Sequence, residues 1–269
     1  MALIQGIPGE FGPQPWGEAI LRNGELLLLR ITRRPPNHEV RLPGLATTPR
    51  HVVEDGTGKA LTWRHDGDDL LVRLPESTER AVVRVSLEGK LRIVPPDTVT
   101  ANADGVWDLT PAGTTAHLVA RRSADVAVRV FGEATGEIEL ANQSLPIHHL
   151  GRTIGPFQVP AGLVVPLTLP AGVRRVLVAP VGAVLASIHP CGAAGELVVR
   201  VTNFGRTVAQ GEVELALPTG TCRWTFEELE PGGSTGWTAT ITGRPGVYVL
   251  EARLDAGRRS ASSPYSIHL

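Results

Sequence analysis

The stretch AVVRVSL, Ala81–Leu87, decides how this chain reads. Val83, Val85 and Leu87 share one face, while Arg84 and Ser86 point the other way. A period of two is the pattern of a half-buried β-strand. Working outward, the same grammar recurs. Leu26–Ile31 is a short apolar run behind the Asn23–Gly24 turn signal. Val52–Val53, Leu61–Trp63 and Leu70–Leu74 follow, separated by Asp55–Gly56, Asp66–Gly67 and Pro75. Asp55–Gly58 and Asp66–Asp69 predict hairpin turns, because Asp and Gly tolerate the positive φ such turns need. Helical periodicity is almost absent: the longest candidate, Glu76–Ala81, is short and follows a proline.

The pair Pro95–Pro96 closes this first region. A second block carries strand signals at Thr98–Thr100, Trp107–Leu109, His117–Val119, Val126–Phe131, Glu137–Leu140, Val164–Leu169 and Val176–Ala179. The last two are joined by Leu169-Pro-Ala-Gly172. A boundary is expected near Gly182. The third block has Glu196–Thr202, Gly211–Leu217, Cys222–Phe226, Gly236–Ile241 and Val247–Leu254. That is five strands, where an immunoglobulin-like sandwich has about seven. The reading is an all-β chain of two to three antiparallel β-sandwich modules, immunoglobulin-like or jelly-roll-like, over residues 1–94, 95–182 and 183–269. No clean repeat argues for a solenoid or propeller.

Composition agrees and narrows function. Apolar residues make up 42% of 269, enough for a core, and net charge is −1. Arg33–Arg34, Arg121–Arg122 and Arg258–Arg259 are isolated pairs. Nucleic-acid binding needs a clustered basic footprint, so no nucleic-acid partner is expected. No run approaches the ~20 apolar residues of a membrane helix, and with no basic n-region or apolar h-region in MALIQGIPGE no signal peptide is expected. The chain as given reads as cytoplasmic, or as extracellular if it is a fragment of a secreted enzyme. With two lysines against many arginines, and abundant Ala, Gly and Val, it reads as a GC-rich bacterial sequence. Cys191 and Cys222 fall in the last third; they form a candidate disulfide, set against two buried thiols in a reducing compartment.

A family resemblance rests on the first block. Its pieces are Pro15-Trp16-Gly17-Glu18-Ala19, Gly24-Glu25-Leu26-Leu27-Leu28, Arg41-Leu42-Pro43-Gly44-Leu45, the hairpin from Asp55 to Trp63, and Gly67 to Pro75 before Ala81–Leu87. In this order they resemble the C-terminal β-sandwich of the α-L-fucosidases, a glycoside hydrolase family, over about residues 5 to 94. The second block (Asn102 to Trp107, Leu169 to Val173) is similar to accessory jelly-roll modules. The third (Val199 to Asn203, Leu229 to Gly232, Gly246 to Leu250) is similar to bacterial immunoglobulin-like modules. The resemblance implies a tail without its engine. The family's catalytic barrel needs about 200 residues or more ahead of its sandwich, and here sandwich motifs begin almost at Met1. Its paired carboxylates belong to that barrel, so no catalytic residue carries over.

Aromatic residues carry the binding expectation, because sugars present C–H faces that stack on rings, with polar groups at the rim. Trp107, flanked by Asp104 and Asp108, is the candidate carbohydrate platform. The alternative is a core tryptophan. Trp63 and Trp16 read as structural, and one buried tryptophan is expected between Trp224 and Trp237. Asp66/Asp68/Asp69, Asn102/Asp104 and Glu227/Glu228/Glu230 read as solvated turns. Calcium at Asn102/Asp104 lacks enough local oxygen ligands. No metal and no cofactor are expected. Three functions follow: a non-catalytic accessory or carbohydrate-binding protein; a docking subunit for a separately encoded glycosidase-like catalytic chain; and a repurposed enzyme with a pocket between modules. For the last, His148 and His149 are the first suspects.

Overall fold

The computed structural model describes residues 4–7, 11–35, 37–75, 81–147, 152–191, 195–217, 220–241, 247–257 and 260–268. These residues form strands and turns, with no helix, so none is long and apolar enough to cross a membrane. The fold is all-β and built of sheets packed as sandwiches, antiparallel as the alternation predicts except for one parallel pairing, Val184–Ser187 with Ser260–Ser263. The chain divides into two compact units, Met1–Thr98 with Gly162–Val164, and Val99–Ala161 with Val165–Leu269.

Unit 1 contains β1 (Gly17–Arg22), β2 (Leu26–Ile31), β3 (Glu39–Leu42), β4 (Pro49–Glu54), β5 (Trp63–Asp66), β6 (Asp69–Arg73) and β7 (Ala81–Leu87). One sheet has the order β1-β2-β7-β4, the other β3-β6-β5. In β7, Val83, Val85 and Leu87 are buried, as their period requires. They meet Leu27, Leu29, Leu42, Leu70 and Val72 in one core. Each such side chain contributes roughly 1.5–3 kcal/mol on burial. The Asp66–Asp69 segment is the two-residue hairpin loop expected, with Gly67 at φ 63.

Unit 2 begins with β8 (Thr98–Thr100), β9 (Trp107–Leu109), β10 (Thr115–Val119), β11 (Ala124–Gly132), β12 (Glu137–Leu140), β13 (Gln143–Pro146), β14 (Thr153–Val159), β15 (Val164–Thr168) and β16 (Val173–Pro180). A five-stranded sheet, β13-β12-β15-β10-β8, faces a four-stranded one, β14-β11-β16-β9. Trp107, Phe157, Ile138, Leu140 and Leu167 fill the space between. The Leu169–Gly172 link does not make a hairpin; it carries the chain from β15 on one sheet to β16 on the other. Opposite it, Gly132 sits in a bulge at φ 125, where a Cβ would stand 2.2 Å from the Gly172 carbonyl oxygen.

The remainder holds β17 (Val184–Pro190), β18 (Glu196–Asn203), β19 (Ala209–Leu217), β20 (Gly220–Leu229), β21 (Ser234–Thr240), β22 (Val247–Leu250), β23 (Ala252–Asp255), β24 (Ser260–Ser263) and β25 (Tyr265–His268). The sheets are β21-β18-β17-β24, β20-β19-β23 and the pair β22-β25. Nine strands stand among the described residues where five are expected. Val184–Pro190 is a strand of its own, and Val247–Leu254 breaks at Glu251, β22 pairing with β25 and β23 with β19. The candidate disulfide is not formed. Cys191 and Cys222 are free, half-buried thiols. Cys222 lies opposite Leu215 in the β20-β19-β23 sheet, whereas the Cys191 amide bonds Glu196 beyond the end of β17, in the other sheet.

The four-stranded β14-β11-β16-β9 sheet is covered on both faces. Val126, Val128, Val130, Val176 and Val178 enter the first core of unit 2. Ala127, Leu177 and Ala179 point the other way, against Leu185, Phe204 and Ala261. The functional groups of unit 2 lie along this second layer.

Candidate functional site

Alternation selects the side chains of the layer. On β9, Trp107 and Leu109 face the core, so Asp108 faces the layer. On β16 it is Arg175, two residues along from Leu177, the register partner of Asp108. On β11, Arg129 and Phe131 lie beside Ala127 in the same phase. On β17, Val184, Ala186 and Ile188 fill the last core, leaving Ser187 and His189 outside it. Arg200 comes from β18 in the same way.

Arg175 organises the cluster. Its Nε donates to Asp108 Oδ1 at 2.7 Å and its Nη2 to Oδ2 at 2.5 Å, a bidentate pair with side chains only 13% and 21% exposed. Its Nη1 donates to the Ile188 carbonyl at 2.8 Å and to His189 Nδ1 at 2.7 Å. Ser263 donates to Asp108 Oδ2 at 2.5 Å. His189 Nε2 stands 2.9 Å from Ser187 Oγ. A guanidinium can only donate, so Nδ1 is the acceptor and the ring hydrogen sits on Nε2. Nε2 therefore donates to Ser187, whose own hydroxyl faces the Arg200 carbonyl at 3.5 Å. Burial, reinforced by the Arg175 and Arg200 cations, brings the His189 imidazole down to about 3 from 6.5. A general base would have to accept from the serine. This Ser–His pair has the opposite polarity, and Ser187 is fully buried.

A second group of cations has no carboxylate among the described residues. Arg129 is 2% exposed. It donates to Ser234 Oγ at 2.8 Å and to the Gly232 carbonyl at 3.3 Å. Arg129 and Arg200 both lie over the Phe131 ring, 5.6 and 5.7 Å from its centroid. Burial and the Arg200 charge lower the Arg129 guanidinium to about 10 from 12.5. The layer is thus a largely buried polar seam within unit 2. It fastens β9, β11 and β16 to β17, β18, β21 and β24.

The sequence-predicted residues land apart. Trp107 is 2% exposed, and its Nε1 donates to the Val99 carbonyl at 3.1 Å. Its ring offers no face for a sugar, because alternation sends it inward while Asp108 goes to the seam. Asp104 lies in the turn capped by Asn102 Oδ1, and its Oδ2 accepts from the Ser262 amide at 3.2 Å. Asn102 also donates to the Ser262 carbonyl at 2.9 Å, so this turn fastens β24. Among the described residues no group of three His, Cys, Asp or Glu could hold a metal ion. His148 and His149 lie outside the described residues. Sequence reasoning missed Arg175 and His189; a lone His between Ile188 and Pro190 carries no signal of its distant partners.

One aromatic pair does reach the surface. Trp224 on β20 and Trp237 on β21 stack at 5.7 Å between centroids, with planes 14° apart, and both are half-buried. They come from the two edge strands of opposed sheets, at the flank of the last sandwich.

No protein-family model matches the chain, and no curated protein does. Similar solved structures include an α-L-fucosidase from Vibrio sp. strain EJY3, at 10% identity and a TM-score of 0.27, covering 63% of this chain and 40% of that one. A GH2 β-galacturonidase from Eisenbergiella tayi has 12% identity and a TM-score of 0.34, covering 89% and 44%. The FN1–FN3 domains of chicken CNTN1 have 11% identity and a TM-score of 0.19, covering 94% and 96%. The chain thus spans less than half the length of the two glycoside hydrolase structures it is similar to.

Proposed function

We propose that this chain is a non-catalytic accessory β-sandwich protein that binds glycans. The observation carrying the reading is the Trp224–Trp237 stack, an aromatic pair that packs against the last core and is half-exposed at the sandwich flank. Aromatic faces stack on sugar C–H surfaces, and rim groups orient the ligand. Thr235, two residues before Trp237 on β21 and so on the same face, is a half-buried polar neighbour of the stack. The test is a glycan array followed by titration of tryptophan fluorescence. Binding is expected to oligosaccharides and to fall at least about tenfold in Trp237→Ala. No binding to any glycan removes the reading.

A second reading is a docking subunit for a separate catalytic chain. Val247 and Val249 on β22 are 63% and 71% exposed, while Leu250 is buried. Exposed β-branched residues in one row fit a contact surface. Co-purification with a stoichiometric partner, lost in a Val247→Lys/Val249→Lys variant, would favour this reading over the first.

A further inference from the structure

The geometry points to a second binding site, in unit 1, for a small molecule that carries one oxyanion group, a carboxylate or a phosphate monoester. This goes beyond the glycan surface proposed in unit 2 and does not rest on it. The site is a hollow of about 270 Å³ lined by His38, Lys59, Leu61, Thr62, Arg73 and Leu74 among others. Its walls are fixed by main-chain hydrogen bonds. The Leu74 amide donates to the His38 carbonyl at 2.7 Å, and the Arg73 amide to Thr62 at 2.9 Å. The Lys59 carbonyl accepts from Glu54 at 2.9 Å, and the Leu61 amide donates to Val52 at 2.9 Å. The hollow is therefore preformed, as ligand sites usually are.

Charge gives the chemistry. On the β3-β6-β5 sheet, Arg41 pairs with Asp69 and Arg64 with Glu39. Lys59 and Arg73 have no carboxylate in ion-pair range among the described residues, and both line the hollow. Among the described residues no acidic side chain lines it. His38 adds a third donor. Arg34 Nη2 donates to His38 Nδ1, which leaves the ring hydrogen on Nε2. His38 also sits at φ 55, a left-handed conformation uncommon outside glycine and of the kind that collects at ligand sites. Three lining residues that carry N–H donors, beside the buried Leu61 and Leu74, suit an oxyanion on a compact body. The hollow is open to solvent on one side, and its volume accommodates a body of about one ring.

Calorimetric titration with benzoate, glucose 6-phosphate, inorganic phosphate and glucose tests this. At least one of the two organic anions is expected to bind in the millimolar range or tighter. The better of the two identifies the ligand as carboxylate or phosphate ester. Lys59→Gln and Arg73→Gln, both exposed changes, should each weaken binding about tenfold. His38→Asn keeps a residue that tolerates positive φ and should weaken it about threefold. The proposal is overturned if neither organic anion binds below about 10 mM, or if the Lys59→Gln/Arg73→Gln double variant binds as tightly as the parent. Equal binding of glucose, or of bare phosphate, overturns it too, since then the cations or the two leucines play no part.

Discussion

Ser187 Oγ and His189 Nε2 stand 2.9 Å apart, and the hydrogen between them belongs to the imidazole. Arg175 on the far nitrogen fixes this, because it has nothing to accept with. The two residues that most resemble catalytic partners in the chain thus act as structural links in a seam.

Arg175 is the centre of that seam, and its loss should be felt throughout unit 2. Arg175→Met leaves Asp108 with only the Ser263 hydroxyl and His189 Nδ1 without its donor. Removing one member of a buried pair costs about 3 kcal/mol or more. Urea denaturation should show this as a lower midpoint with an unchanged slope. Arg175→Lys keeps the charge but not the fork, so it should recover less than half of the loss.

Stability should depend on pH through His189. In the unfolded chain the imidazole takes up a proton as pH falls through about 6.5. In the folded chain it does so only near 3. Between these values the unfolded state binds more protons, so stability rises with pH across the window. The contribution is complete above about 6.5 and is lost progressively toward pH 3, as much as about 5 kcal/mol. His189→Gln should flatten this part of a stability-against-pH profile.

Arg129 offers the reverse case. It is a buried cation with no acid beside it among the described residues, and Arg200 repels it. Arg129→Met fills the same space without the desolvated charge. Thermal unfolding should show stability unchanged or raised by about 1 kcal/mol. A loss above 2 kcal/mol would mean that its bonds to Gly232 and Ser234 outweigh the buried charge.

Gly132→Ala should be among the most damaging small changes. The added methyl would meet the Gly172 carbonyl oxygen at 2.2 Å, at a φ that side chains rarely adopt. A cost of several kcal/mol is expected by chemical denaturation.

Both thiols should titrate in the unfolded protein without reductant. Cys222→Ser should leave the melting temperature within a few degrees of the parent.

Much of the fold was legible because alternation is a local property. Ala81–Leu87, Glu196–Thr202 and the Asp66–Asp69 turn could be read from residues in sequence order. The break at Glu251 could not. Tyr248, Leu250, Ala252 and Leu254 keep one phase straight through it, so nothing in the pattern marks the change of sheet. Val184–Pro190 was lost because its run of buried residues shows no period; a strand covered on both faces has none to show. Trp107 and Asp108 illustrate the site. Adjacent strand residues face opposite ways, which separates the proposed platform from its rim. The Asp108–Arg175–His189 constellation joins three strands from distant parts of the chain, and no spacing encodes it.

The twice-covered sheet has a practical consequence. A protein engineer tempted to divide unit 2 near Gly182 would not obtain two stable fragments. One piece would keep Ala127, Leu177 and Ala179 without their cover, the other Leu185, Phe204 and Ala261 without theirs. Each would carry a sticky flank and a stranded set of charges. The smallest piece of this half worth expressing alone is the whole of it.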